Sequence, residues 1–489
     1  MGQMAAGSSC DLCRENQLEM ECCRGGLLRH STGPGDPTPD GEEEEEEDRI
    51  SALPDDLLLQ VLAGLRCARA AAHTGLLALR WRGLWARLPG LAFHCTAPGP
   101  LRAALAAAGA ARPAPSLLDI DLFGHHPLEA DQISSLLRAA AALAPAELVV
   151  DFAVQIPSCR IDLPCFDRTA SITLKASHRR PSFAPPPGGG FPALESLHLD
   201  GCDIDLGNLL PRCPCLRKLR IMTGWYPSSV EVASASLQEL LVYANGQIQH
   251  IDIAAPALKK LYLDAHRGVA NDFSLSLSAP AVEDLTWKCE CKALSRNRFG
   301  VAWRLWNMEQ RTCLQRSEHT QLAHVLSLNL EANVLAGDES KSFEQEISQF
   351  IVADFSILEL DLTPRRHVYG AIVIHLLGFC TSIQRLIVKL DTYLMGGVCG
   401  FKHCSCESCD QPNNWRSQSI PLNDLKEVEI RGFKGQDHEV DLLKLLLRCA
   451  IVLERVTLSF SSMVSPNDSA YIKIDSILKA YPSVECNII

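Results

Sequence analysis

The chain has 489 residues, 47% of them hydrophobic and 21% charged, a composition typical of a globular protein with a sizeable core. It contains no run of about 18 uncharged apolar residues and no N-terminal basic segment followed by an apolar one, so neither a membrane span nor an export signal is predicted. The net charge is −12, of which residues 42–48 supply seven negative charges, and no basic stripe suited to nucleic acid is present.

The cysteines point to a reducing compartment. There are 21 of them, an odd number scattered along a long chain without an export signal. Such usage is typical of free thiols in proteins of the cytoplasm or nucleus. We therefore expect a cytoplasmic and/or nuclear protein.

The first segment, residues 1–47, is rich in Gly, Pro and Glu. Such a composition cannot bury enough apolar surface to offset the entropy of ordering, so this acidic N-terminal tail is predicted to be disordered.

Residues 48–94 follow a helical pattern. Pro54 and the acidic pair after it suit the start of a helix, and "LPDDLLLQVLAGL" then places its apolar residues at helical spacing. A second helix is predicted over residues 68–79 and a third over "RWRGLWARL". A bundle this small buries too little of its own surface, so part of its apolar face is expected to meet a partner.

From residue 117 the chain repeats the unit apolar-x-x-apolar-x-apolar. The units that start at residues 194, 216, 237, 258 and 282 are separated by 22, 21, 21 and 24 residues. A period of roughly 20–29 residues is typical of leucine-rich repeats, in which stacked units build the core together. Further units occur at wider spacing up to "LERVTL" at residue 453, with interruptions near residues 296–312 and 392–419. The pattern therefore predicts an α/β chain with an irregular leucine-rich-repeat solenoid, an arc with loop insertions.

The outward positions of the repeat strands are a candidate target-binding face. Neighbouring strands lie about 5 Å apart, so these side chains would form one strip of mixed charge. The alternative for each of them is a solvated sheet face. The candidates are His198, Lys218, Arg220, Lys260, Tyr262 and Asp284.

A cysteine cluster lies in the second interruption. The stretch "CGFKHCSCESC" offers five thiol or imidazole groups within eleven residues, and a zinc ion needs four. The stretch lacks a second CxxC half, so a loop of reduced cysteines is favoured, with zinc as the alternative. The residues concerned are Cys399, His403, Cys404, Cys406 and Cys409.

The sequence shows no pattern typical of catalysis. It contains no GxxxxGKS phosphate loop, no GxSxG nucleophile turn and no HExxH zinc helix. We expect a protein that is not an enzyme and needs no cofactor.

Two stretches resemble a known family. "DRISALPDDLLLQVLAGL…LALRWRGLWARLPGLAFH" resembles an F-box, and "LNDLKEVEIRGFKGQDHEVDLLKLLLRCAIVLERVTLSF" resembles the FBD segment of plant F-box/leucine-rich-repeat proteins. The resemblance implies an F-box at 48–94, leucine-rich repeats at 95–420 with a Cys-rich insertion at 392–419, and FBD-like repeats at 421–489. At Ala78–Leu79 the chain departs from the Ser-Arg-Arg-Trp sequence common in plant relatives.

The resemblance also implies partners. The F-box would dock a Skp-type adaptor and so join a cullin complex, while the repeats bind a target protein for ubiquitination. The alternative is a leucine-rich-repeat scaffold or receptor whose F-box-like helices do not assemble a ligase. The implied adaptor contacts, which could instead pack the helical core, are Leu53, Pro54, Leu57, Leu58, Val61, Leu62, Trp81 and Trp85.

Overall fold

The computed structural model divides into two compact units, Met1–Gly224 with Val232–Leu240 (unit 1) and Trp225–Glu231 with Leu241–Ile489 (unit 2). The predicted tail and the Cys399–Cys409 cluster lie outside the residues that the structure describes. Those residues are 50, 53–94, 96, 98–110, 114–122, 128–152, 160–176, 181–186, 188–224, 228–291, 298–299, 301–315, 321–333, 347, 350–364, 367–380, 382–390, 415–461 and 469–489.

Unit 1 begins with short helical segments. Two are α-helices, α1 (Asp55–Gly64) and α2 (Ala68–His73), and three are 3-10 turns at Thr74–Leu76, Leu79–Trp81 and Leu84–Arg87. The predicted second helix is therefore shorter than expected, and the predicted third helix is wrong. Gly83 adopts φ +78°, in the left-handed region, and Arg82 before it is extended, so the chain turns between two 3-10 segments where the pattern predicted one helix.

The rest of unit 1 is built on a parallel ladder. Its strands pair in the order β1 to β2 to β3 to β5 to β7 to β9, all parallel. A second, smaller parallel sheet contains β4, β6 and β8. The bounds are β1 (Gly90–Phe93), α3 (Pro98–Ala110), β2 (Leu117–Asp121), α4 (Ala130–Ala142), β3 (Glu147–Phe152), β4 (Arg160–Asp162), β5 (Ser171–Ala176), β6 (Ser182–Ala184), β7 (Ser196–Asp200), β8 (Asp203–Ile204), α5 (Leu206–Leu209) and β9 (Lys218–Thr223).

The leucine pattern explains why these strands form and which side faces the core. In "LESLHL" the first leucine, Leu194, is buried just before β7, and Leu197 and Leu199 point inward from the strand. The residues between them, Ser196 and His198, are half-buried on the opposite face. Since side chains of a strand alternate between faces, each repeat contributes one inward row to a shared core and one outward row.

In unit 2 the parallel arrangement is interrupted once. Parallel pairs join β12 to β14 and β13 to β15, and a parallel ladder runs from β18 through β19, β20, β21 and β22 to β23. β17 pairs antiparallel with both β15 and β18. The bounds are β12 (Ile248–Ala254), β13 (Lys260–Ala265), β14 (Val269–Ser278), β15 (Asp284–Glu290), β16 (Arg298–Phe299), β17 (Val301–Gln315), β18 (Gln321–Asn333), β19 (Ile357–Thr363), α6 (Gly370–Phe379), β20 (Arg385–Leu390), β21 (Glu427–Phe433), α7 (Asp437–Cys449), β22 (Arg455–Phe460), α8 (Ser469–Lys479) and β23 (Glu485–Ile488), while β10 (Ser228–Ala233) and β11 (Glu239–Ala244) each have residues in both units.

The antiparallel hairpin corrects the expectation of a loop insertion near residues 296–312. Buried and less buried side chains alternate along β17, as expected for a strand, with one shift in the alternation. The buried residues are Trp303, Leu305, Met308 and Gln310. That shift is a bulge between Leu305 and Asn307. The segment breaks the repeat spacing because it forms an antiparallel hairpin within the sheet. Its apolar residues are buried in the core of unit 2.

Candidate functional site

The helical segments of unit 1 keep an apolar surface in contact with solvent. On α1, Leu57 is 42% exposed and Val61 is 47% exposed, and since they are four residues apart they lie on one face of the helix. In the 3-10 region Leu76 is 81% exposed, Leu77 78% and Leu79 74%. Five large apolar side chains within 23 residues are therefore exposed, which makes them candidates for an interaction surface. We call these five residues the exposed leucine set.

The other side of α1 is interior. Leu58 and Leu62 are almost fully buried, and Trp81 is buried with them among the short helical segments. These three of the predicted adaptor contacts therefore pack in the core of the helical segments. Of the remaining predicted contacts, Leu53 is half-buried and Pro54 is exposed at the start of α1.

Trp85 has a different position from the other predicted contacts. It is half-buried, and its ring meets that of Phe93 of β1 edge-on, with the ring centroids 6.4 Å apart. Edge-to-face pairs of this kind stabilise by about 0.5–1.5 kcal/mol beyond their buried area. Trp85 therefore links the helical segments to the first strand of the ladder.

Ion pairs fix the 3-10 turns against the beginning of α1. The Asp55 carboxylate accepts from Arg80 Nη2 at 3.2 Å and from Arg87 Nη1 at 3.0 Å. Hydrogen bonds from Arg87 and Arg80 lower the pKa of Asp55. Arg80 directly follows Leu79, so this pairing holds part of the exposed leucine set beside the start of α1.

The predicted target-binding residues lie on outward strand faces and form two groups, one in unit 1 and one in unit 2. In unit 1, His198 of β7 lies opposite Arg220 of β9, and Lys218 Nζ pairs with Glu239 Oε1 at 3.3 Å. Burial, and then the charge of Arg220, lower the pKa of His198, which favours its neutral form.

In unit 2, the two predicted charged residues pair with each other. Lys260 Nζ lies 3.0 Å from Asp284 Oδ2. The Tyr262 ring lies 4.9 Å from that of Tyr243, and its hydroxyl donates to Asp264 Oδ2 at 3.2 Å. Burial, and then the charge of Asp264, raise the pKa of Tyr262 to about 12. The hydroxyl thus stays protonated and acts as a donor.

The sequence interpretation missed two groups of residues on the outward faces. One is a carboxylate group on unit 1, formed by Asp119 and Asp121 of β2 and Asp151 of β3. The other is a chain of ion pairs on unit 2, in which Arg385 of β20 contacts both Glu427 and Glu429 of β21. A signal was available in the sequence, because each of these residues lies next to a buried apolar residue in a strand and therefore points to the opposite face.

Metal ligands and membrane spans can be assessed only for part of the chain. The described residues contain no group of three or more His, Cys, Asp or Glu side chains placed to hold a metal ion. The five residues of the predicted zinc alternative lie outside them. None of the described helices is long and apolar enough to cross a membrane.

Two family models match the chain. Residues 133–285 match the leucine-rich repeats of "FBD-associated F-box protein At5g56370", and residues 421–458 match the FBD model. The first match covers strands of the parallel ladder of unit 1 and continues into unit 2, and the second covers β21 and α7.

Relatives from Arabidopsis thaliana are named as F-box proteins, some of them with LRR repeats or an FBD segment in the name. "Putative F-box protein At3g58860" is 24% identical over 430 residues, which cover 82% of this chain and 86% of the relative. "Putative F-box/LRR-repeat protein At3g58880" is 24% identical over 434 residues, 84% of this chain and 91% of the relative. "F-box/FBD/LRR-repeat protein At2g04230" is 57% identical over 47 residues, 10% of each chain. The predicted resemblance to plant F-box/leucine-rich-repeat proteins with an FBD segment is confirmed.

Proposed function

Since the chain resembles plant F-box/leucine-rich-repeat proteins along most of its length, we propose that it is the substrate-recognition subunit of a Skp–cullin–F-box ubiquitin ligase. In this proposal a small helical F-box bundle docks the Skp-type adaptor, and an irregular leucine-rich-repeat arc binds the target protein. Other subunits carry out the ubiquitin chemistry, so the chain needs no catalytic residue and no cofactor. Its place of action is the cytoplasm and/or the nucleus.

The observation that carries the proposal is the exposed leucine set. Covering a large apolar side chain stabilises by about 1.5–3 kcal/mol, and binding energy concentrates in a few such anchors. Leu57 and Val61 stand on a helix whose opposite side is locked into the core by Leu58 and Leu62. The exposed side is thus held rigidly, so docking of a partner there costs little entropy for ordering the helix.

The mechanism that follows is catalysis by proximity. A receptor that holds a target beside a ubiquitin-charged enzyme raises the effective concentration of the target's lysines there. The chain then needs only two binding surfaces. The F-box supplies the exposed leucine set, and the repeats supply the outward strand face.

A pull-down with purified Skp-type adaptor tests the docking surface. We expect the wild type to capture the adaptor, and Leu57→Ala with Val61→Ala to weaken capture at least about tenfold, because two anchors are lost. Leu76→Ala with Leu77→Ala and Leu79→Ala should act in the same direction, as should Leu53→Ala with Pro54→Ala. The matched control is Ile472→Ala on α8, a 61% exposed apolar residue in unit 2. An unchanged melting temperature in each variant ensures that binding and not folding is measured.

Two results would contradict the proposal: no capture by the wild type, or capture by the helical variants equal to that by the control. Capture of the adaptor without co-purification of a cullin would favour the scaffold alternative instead. The departure at Ala78–Leu79 motivates that alternative, and Leu79 is among the most exposed apolar side chains of the described chain.

A further inference from the structure

The outward face of unit 1 carries a row of charged residues, one on each of four adjacent strands. Asp121 of β2 lies opposite Asp151 of β3, Asp151 lies opposite Lys175 of β5, and Lys175 lies opposite Asp200 of β7. Adjacent strands are about 4.8 Å apart, so these side chains are direct neighbours. Asp119 stands two residues before Asp121 on the same face of β2. With Asp119, this part of the face therefore carries four carboxylates and one ammonium group.

In two of these carboxylates one oxygen atom is buried and has no hydrogen-bond partner among the described residues. Asp121 is only 5% exposed, and its Oδ1 atom accepts no hydrogen bond within the part of the chain that the structure describes. Oδ1 of Asp151, on the next strand, is likewise buried without a hydrogen-bond partner. A buried carboxylate oxygen with no donor is costly, and like charges directly opposite on neighbouring strands add repulsion.

The protonation behaviour agrees with this geometry. Burial, and then the charges of Asp151 and Asp119, raise the pKa of Asp121 to about 7. Burial also raises the pKa of Asp119 and of Asp151. In the free protein this part of the sheet therefore retains acceptor atoms that need a donor or a positive charge.

We propose that Asp121 and Asp151 form a binding site for an arginine side chain of the target protein. This deepens the proposed function and rests on it, since it names the chemistry of the cargo that the repeats select. A guanidinium presents five N–H donors in a planar fork that bonds carboxylate oxygens in pairs. Asp121 and Asp151 are register partners on neighbouring strands, so such a fork would bond one oxygen of each.

A bare cation fits the pair less well than a guanidinium does. Calcium takes six to eight oxygen ligands and magnesium requires an octahedron. The described residues bring no three metal-ligating side chains together. Lys175 lies beside Asp151 and adds a positive charge, which hinders a divalent ion more than a singly charged side chain.

A peptide-binding experiment on the full chain tests the site. The probe is a labelled glycine-serine peptide with two arginines, compared with peptides that carry citrulline or lysine at the same positions. The site variant is Asp121→Asn with Asp151→Asn. The matched control is Asp162→Asn with Asp203→Asn, which changes the net charge equally at exposed positions of β4 and β8. Every variant keeps the acidic run at residues 42–48, so its attraction for the peptide is constant.

We expect the wild type and the control to bind the arginine peptide at least about tenfold more tightly than the citrulline peptide, and the site variant to lose that preference. Equal binding of the three peptides by the wild type, or a site variant that binds like the control, would overturn the site. Lysine bound as tightly as arginine would overturn the choice of a guanidinium.

The melting temperature of the free protein gives a second readout. A site left empty for a ligand should make the asparagine variant at least as stable as the wild type, because it removes an unpartnered charge. A melting temperature lowered by several degrees would show that the carboxylates hold the fold together and would overturn the proposal. The adaptor pull-down depends on α1 and this experiment on β2 and β3, so the failure of one is distinguishable from failure of the other.

Discussion

Asp121 is the residue whose protonation is expected to dominate the pH dependence of unit 1. Its pKa in the fold is about 7, while a carboxyl in the unfolded chain titrates near 3.9. Between these values the folded state holds a proton that the unfolded state has lost, so stability falls as the pH rises through this window. The charged groups around it are Asp119 and Asp151, with His94 and Lys175 acting on Asp119.

Asp121→Asn should remove this dependence. We expect the melting temperature of the variant to exceed that of the wild type by an amount that grows from pH 5 to pH 8, since the wild type acquires a buried charge over that range. Differential scanning calorimetry at four or five pH values measures it. A constant difference between the two proteins across the range would show that Asp121 does not titrate there.

Gly201 follows β7 and holds a backbone conformation that other residues avoid. Its φ is +63°, and a Cβ at this position would lie 2.3 Å from the carbonyl oxygen of Ala176 at the end of β5. Its own N–H donates to Met222 O of β9 at 2.9 Å, so the Gly201 backbone is held between β5 and β9 and cannot easily move away from Ala176. This is the position near which the repeat pattern usually carries an asparagine. The close approach explains the glycine of "LHLDGCDI".

Gly201→Ala is expected to lower the free energy of unfolding by about 1–3 kcal/mol, through strain and the clash with Ala176. Urea denaturation measures the change. Gly64→Ala is the matched control, because no atom lies within 4 Å of its added Cβ and alanine is favoured in a helix. A Gly201→Ala protein as stable as the control would mean that the strands separate readily at this edge.

At the scale of the element, α1 combines a buried side with an exposed apolar side. Leu58 is fully buried and Leu57, one residue earlier, is 42% exposed. Leu58→Ala should therefore cost about 2–5 kcal/mol in the free energy of unfolding, while Leu57→Ala should change it by less than about 0.5 kcal/mol. Chemical denaturation of the two variants compares them. Similar losses for both would show that Leu57 is covered in solution by another part of the chain.

The elements also show where the sequence pattern predicts the observed structure and where it does not. The repeat units give strands at β7, β9, β13 and β15, as their leucines predict. The stretch after α2 does not give the predicted helix, since Gly83 and the ion pairs of Asp55 favour two 3-10 turns there. Helical periodicity reports only on residues a few positions apart, so it cannot predict these ion pairs: Asp55 lies 25 residues from Arg80 and 32 from Arg87.

At the scale of the whole molecule, the point where the helical segments end is decided by strand pairing. The resemblance implies an F-box at residues 48–94, but β1 at Gly90–Phe93 pairs in parallel with β2 and is thereby the first strand of the ladder. Leu91 and Phe93 of β1 are almost fully buried. Deletion of residues 1–94 would remove this strand, and deletion of residues 1–88 would keep it.

We expect the protein that begins at residue 89 to have a higher melting temperature and a larger soluble fraction than the protein that begins at residue 95. The shorter one exposes the hydrogen-bonding edge of β2, and exposed strand edges promote aggregation. Expression of the two truncations side by side, followed by thermal unfolding, checks this. If the two behave alike, β1 contributes little to the ladder.

The sequence by itself determined the repeat strands, their inward leucines and the family resemblance, because these depend on local periodicity and on motifs that lie close together along the chain. It also indicated that the helical segments would leave apolar surface uncovered. Only the tertiary structure decided which residues those are, since burial of Leu58 and exposure of Leu57 follow from what packs against α1. The tertiary structure also decided that Asp121 lies opposite Asp151. The two residues are 30 positions apart along the chain, and the register of their strands determines which charged side chains become neighbours.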